Sequence, residues 1–159
     1  DSRSSLSFLH AVLSGFHLGT NLTLVQSEVK RTIKVQTQIN DTRRMVGQAP
    51  YLFNASLSYH NVDRSFNMNV SYNVQGKMLY IVGNDRIPDV YEKPFHALNI
   101  QLSYKLGARD QIQMSAGITN LLNAENLFVY DAGIISNNKY IWSNYSTGIA
   151  YNMGFTIDL

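Results

Sequence analysis

Few side chains in this sequence are equipped for chemistry. Four histidines, His10, His17, His60 and His96, supply all the imidazoles, and there is no Cys to join them as a metal ligand or to act as a nucleophile. No two of these histidines are spaced to bring both rings to one face of a single strand, so they read as structural and no metal is expected. No Ser-His-Asp arrangement, glycine-rich phosphate loop or catalytic carboxylate pair is legible, so no catalytic residue, cofactor or enzyme activity is expected. The remaining candidates suit recognition. Arg43 and Arg44 stand side by side, and two guanidiniums can grip an anionic ligand through paired hydrogen bonds. Tyr91, Tyr140 and Trp142 offer rings that stack on a sugar or an aromatic group. The same five residues also read as solvated charges and rim aromatics.

These residues lie between segments of strict alternation. From Phe16, the side chains Phe16, Leu18, Leu22 and Leu24 share one face, and His17, Gly19, Asn21 and Thr23 the other. Tyr51, Phe53, Ala55, Leu57 and Tyr59 oppose Asn54, Ser56, Ser58 and His60; Phe66, Met68, Val70, Tyr72 and Val74 oppose Asn67, Asn69, Ser71, Asn73 and Gln75. The pattern returns at Leu98–Leu106, at Ile112–Ile118 and at Tyr151–Leu159. A period of two means strand. About six strands are expected, over 13–30, 51–60, 65–82, 95–106, 111–130 and 147–159. Residues 4–13 lack clean periodicity and read as the tail of an earlier strand with its turn. Connections alternate between tight turns, at 61–65 and 107–110, and extended loops, at 31–50, 83–94 and 131–146. Ligand contacts are expected on those loops, where Arg43, Arg44, Tyr91 and Tyr140 fall.

The polar face separates a soluble sheet from a membrane wall. A water-facing sheet carries many Lys, Glu and Arg, whereas this face is nearly all Asn, Ser, Gln, Gly and Thr, with Lys105 and Asp158 as its charges in the central stretches. The apolar face holds no charge in any of these strands and carries Tyr51, Tyr59, Tyr72, Tyr104 and Tyr151. Tyrosine favours a membrane interface, where its ring is apolar and its hydroxyl wet. Only 15% of residues are charged, against roughly 25% in soluble domains. No apolar stretch approaches the roughly 18 residues of a membrane-spanning helix. The +2 net charge is scattered without a basic stripe, which argues against nucleic acid as a partner. The expected fold is therefore all-β: an antiparallel transmembrane β-barrel segment of up-and-down strands, facing outer-membrane lipid. Six strands cannot close such a barrel, so the remainder of the wall is expected in a longer protein cut near Asp1. Segments 65–82 and 111–130 exceed the roughly 9 to 11 residues needed to cross and are expected to project as long strands.

Two stretches carry a resemblance. The last nine residues, YNMGFTIDL, resemble the C-terminal assembly signal of outer-membrane proteins, with Asn152, Gly154, Ile157 and Leu159 at its positions and a terminal Leu where an aromatic is common. The runs GQAPYLFNASLSY, YNVQGKMLYIVG and GITNLLNAENLF are similar to late strands of TonB-dependent receptors of Bacteroidetes-type bacteria, with Leu122 where that family usually has Phe. The resemblance implies the C-terminal end of a barrel of about 22 strands with a plugged lumen in a Gram-negative outer membrane. It implies as partners the rest of the barrel and its plug, TonB acting on an N-terminal box, and the barrel-assembly machinery. The function it implies is energised uptake of a scarce nutrient, a siderophore, a glycan or similar. The alternative is the end of a non-transporting outer-membrane barrel, an adhesin or secretion component.

Overall fold

A computed structural model describes residues 2–5, 15–30, 42–61, 65–84, 86–107, 111–131 and 140–157. Among these the chain is all-β, without a helix, and every paired strand in its sheets runs antiparallel to its neighbours. No helix of the described residues is long and apolar enough to cross a membrane.

The larger sheet has seven strands: β1 (Ser2–Ser5), β2 (Phe16–Leu24), β5 (Tyr51–Asn61), β6 (Phe66–Gln75), β9 (Phe95–Leu106), β10 (Ile112–Thr119) and β13 (Ala150–Ile157). They lie in that spatial order. Each pairs with the strands of this sheet nearest to it in the sequence, and among the described residues β1 and β13 are its outermost strands. Because directly paired residues share a face, the register extends the alternation of single strands into rows across the sheet. One row runs Leu18, Leu57, Val70, Ile100, Ile118, Tyr151. The next, on the opposite face, runs His17, Ser58, Asn69, Gln101, Gly117, Asn152. The amide face bonds to itself: Asn69 Nδ2 donates to Ser58 Oγ at 2.8 Å, and His60 and Asn67 are hydrogen-bonded across β5 and β6.

Above this sheet stands a second, of four strands: β7 (Met78–Ile81), β8 (Val90–Glu92), β11 (Glu125–Tyr130) and β12 (Ile141–Ser146), in the order β12-β11-β8-β7. Each is continuous in sequence with one of the last four strands below, β7 with β6, β8 with β9, β11 with β10 and β12 with β13. The smaller sheet is thus an upper tier of the same wall. A two-stranded ribbon, β3 (Val29–Lys30) with β4 (Thr42–Arg43), completes the described structure.

The long strands expected at 65–82 and 111–130 are each two strands. In the first, the break falls at Gly76, where a Cβ would lie 2.7 Å from the Tyr51 ring. The backbone there passes too close to that ring for any side chain. In the second, Asn120 and Asn123 take left-handed φ values of 55° and 49°, which end a ladder and which Asn tolerates better than most residues. The loops expected at 31–50, 83–94 and 131–146 contain β4, β8 and β12, short strands that sequence alternation does not reveal at this length. The strand expected over 13–30 ends at Leu24 before the ribbon.

The buried hydrophobic side chains among the described residues are Ala49, Leu79, Val90, Phe128 and Val129. All five belong to the upper tier or to the segment bonded to its edge. The seven-stranded sheet contributes none. On β13, Tyr151, Met153, Phe155 and Ile157 are 72%, 81%, 68% and 63% exposed.

Candidate functional site

The chain after β2 leaves the large sheet, enters the ribbon and returns to β5. Val25 N bonds Pro50 O at 3.0 Å, which closes the base of this excursion. On its way back, Gly47 N donates to Leu79 O at 2.8 Å and Val46 bridges Leu79 in parallel, so the segment pairs with the free edge of β7. Between the two arms lies a cleft of about 410 Å³, lined by residues that include Ser27, Glu28, Thr42, Arg43, Arg44 and Gln48. Ser27 Oγ accepts a bond from Met45 N at 3.4 Å. Gln48 Oε1 is buried with no hydrogen-bond partner. Neither Arg43 nor Arg44 forms an ion pair among the described residues; the one such pair is Lys77 with Asp131, at 4.0 Å.

Tyr91 belongs to the same neighbourhood. It pairs with Leu79, and Lys77 Nζ sits 4.0 Å above its ring. Burial raises the Tyr91 hydroxyl above its usual pKa, Asp89 and Asp131 add to that, and Arg44 and Arg43 partly offset it. Gly47 bonds Leu79, which pairs with Tyr91, so the arm that carries both arginines returns to the strand edge beside Tyr91. The structure brings Arg43, Arg44 and Tyr91 into one region.

Trp142 and Tyr140 lie elsewhere. Trp142 joins Tyr80, Phe128 and Tyr145 in an aromatic cluster, with centroids 4.6 Å apart for Tyr80 and Phe128 and 5.9 Å for Phe128 and Trp142. Phe128 precedes Val129 and Tyr80 follows Leu79, so this cluster occupies the sheet face opposite Tyr91. Tyr140 is exposed, and its carbonyl accepts from Tyr130 N at 2.9 Å.

Of the C-terminal positions, Asn152 and Gly154 lie on the amide face opposite Gly117 and Ser115, and Ile157 on the apolar face opposite Ile112. Gly117 has a specific reason to be glycine, because a Cβ there would collide with the amides of both Gln101 and Asn152. Leu159 lies outside the described residues, as does His10. Of the other histidines, His17 and His60 are on the amide face, and His96 on the apolar face bonds the Tyr72 hydroxyl through Nδ1 at 2.6 Å.

Sequence reading missed Asn120, the buried polar residue of the described structure, 5% exposed. Its Nδ2 donates to Ala124 O at 3.3 Å and Gly148 O at 3.0 Å, its Oδ1 accepts from Ala124 N at 2.9 Å, and its N donates to Asn99 Oδ1 at 3.0 Å. The Asn120 side chain thus ties the β10–β11 turn to the link between β12 and β13, and its main-chain N ties the turn to Asn99 on β9. The signal was present in Asn120-Leu121-Leu122-Asn123, two turn-forming residues framing a leucine pair inside an apparent strand. Gln48 and Glu28 were also missed, because they come together through the path of the loop.

Comparison with protein families, with curated proteins and with solved structures finds no match to this chain.

Proposed function

We propose that this chain is the C-terminal part of the wall of an outer-membrane β-barrel, and that the barrel is a TonB-dependent receptor importing a scarce nutrient. The observation that carries the membrane reading is the uncovered apolar face. The described residues of the seven-stranded sheet bury no hydrophobic side chain, yet the face is uncharged across the strands and lined by large apolar residues. In water such a patch drives association, whereas in a bilayer it is the ordinary outer surface of a barrel. The amide face, bonded strand to strand, suits a hydrated lumen.

The dimensions agree. Strands β5, β6 and β9 hold 11, 10 and 12 residues, close to the roughly 9 to 11 that a tilted strand needs to cross. Aromatics mark two levels on the apolar face. Phe16, Tyr59 and Phe66 cluster at one end, with centroids 4.5 and 6.2 Å apart, and Tyr51 and Tyr72 stand toward the other. From Tyr51 to Tyr59 is about 27 Å along the strand, or roughly 20 Å across a membrane at a 40° tilt, near the roughly 25 Å apolar band of such barrels. The outer edges of β1 and β13 require further strands to satisfy their backbone groups in lipid. The transport reading is supported by the receptor-like runs of sequence and by an upper tier that carries polar residues beyond the spanning strands.

The test uses the intact protein that contains this chain. It is expected in the outer-membrane fraction, with heat-modifiable mobility in gels, and its reading frame is expected to hold a plug-sized region before the barrel. A frame without that region would move it to the non-transporting barrels, and a water-soluble monomer would end the membrane reading.

A further inference from the structure

We propose that the cleft between residues 25–28 and 42–50 binds a hydroxylated carboxylate, with Arg43 and Arg44 taking the carboxylate and Gln48 accepting a hydroxyl hydrogen. This rests on the receptor reading only for its biological meaning, as what the barrel holds at its upper mouth. The chemistry follows from the lining. Two guanidiniums stand there without an ion-pair partner among the described residues, and Glu28 is the one carboxylate among the described residues that line the cleft. The surplus is one positive charge, which fits a ligand with a single carboxylate in the cleft better than a polyanion. Glu28 repels a bare anion but accepts hydrogen bonds from hydroxyls. Gln48 Oε1, buried and unpartnered, calls for a donor in the same place, since a buried acceptor left unbonded is costly. Ser27 Oγ already accepts from Met45 N and keeps its own hydrogen to donate. A carboxylate flanked by hydroxyls satisfies all of these groups at once. A volume of about 410 Å³ admits a ligand the size of one sugar ring.

Such a group occurs in the uronic acid units of glycans and in small hydroxy acids, and the arms of the test separate these sources. Calorimetric titration of the intact protein in detergent with glucuronate, glycerate, glucose, glucuronate methyl ester and acetate is the experiment. Binding of glucuronate, with glucose, the ester and acetate at least about tenfold weaker, supports the proposal with a sugar acid as the source. Binding of glycerate alone supports it with a small hydroxy acid as the source. Acetate binding as well as either would overturn the role of the hydroxyls, glucose binding as well would overturn that of the arginines, and no binding by any probe at millimolar concentration would overturn the whole. Arg44→Lys keeps the charge and loses the fork, and Gln48→Glu keeps the size and adds a negative charge. Each is expected to weaken binding about tenfold or more with mobility in gels unchanged; unchanged affinity in both would also overturn it. A protein that sits in the membrane and binds none of the probes loses this proposal and keeps the receptor reading, whereas one that binds glucuronate but is absent from membranes does the reverse.

Discussion

Met114 on β10 and Phe128 on β11 lie on neighbouring stretches of one hairpin arm, Met114 in the larger sheet and Phe128 in the smaller. Yet Met114 is 39% exposed and Phe128 only 5%. The lower sheet presents a bare apolar face, while the upper tier packs Phe128 among Tyr80, Trp142 and Tyr145 and buries Leu79, Val90 and Val129. The same chain follows two packing rules on either side of the breaks at Gly76 and Asn120. In our account the cause is the solvent. Hydrocarbon would cover the lower face, so it needs no protein cover, whereas the upper tier would stand in water and must bury its own apolar groups.

The largest effect is expected from Phe128→Ala, which removes the ring on which the upper cluster is built, at about 3 to 5 kcal/mol. Limited proteolysis of the protein in membranes should then cut within 78–92 and 125–146 while the lower strands stay protected. Equal cutting of both tiers would show that they form one cooperative unit. Next comes Ile100→Arg, expected to cost about 2 to 4 kcal/mol in urea titration of the protein folded in vesicles, against little change for its neighbour Gln101→Arg. Equal costs would erase the distinction between the faces. The smallest is Asn120→Ala, expected to cost about 1 to 3 kcal/mol through unmet hydrogen bonds and the left-handed backbone. Asn120→Gly relieves only the backbone part, so the difference between the two isolates the left-handed backbone and the cost that remains in the glycine variant reports the lost side chain.

The lower sheet was largely legible in the sequence. Alternation over ten or so residues, as in Tyr51–Asn61 or Phe95–Leu106, fixes both strand and face, because a one-residue slip would invert every side chain. The upper tier was not legible. Its strands, such as Val90–Glu92, are too short to show a period, and their pairing is set by neighbours distant in the sequence. Pro88 and Pro94 on either side read as loop. At the site, the adjacent arginines and Tyr91 were visible as types, but their meeting depends on Gly47 bonding Leu79, a contact between loop and strand edge that no local pattern encodes. Trp142 was grouped with them by chemistry alone, and the tier's two faces separate it.

The central claim, that lipid touches the face bearing Ile100 and not the face bearing Gln101, can be measured directly. Trp142 is the single tryptophan of the chain. In a Trp142→Phe background, Ile100→Trp and Gln101→Trp variants folded in vesicles of brominated lipid report contact with acyl chains by fluorescence quenching. Strong quenching at position 100 with little at 101 is predicted; equal quenching, or quenching at 101 alone, would contradict the account.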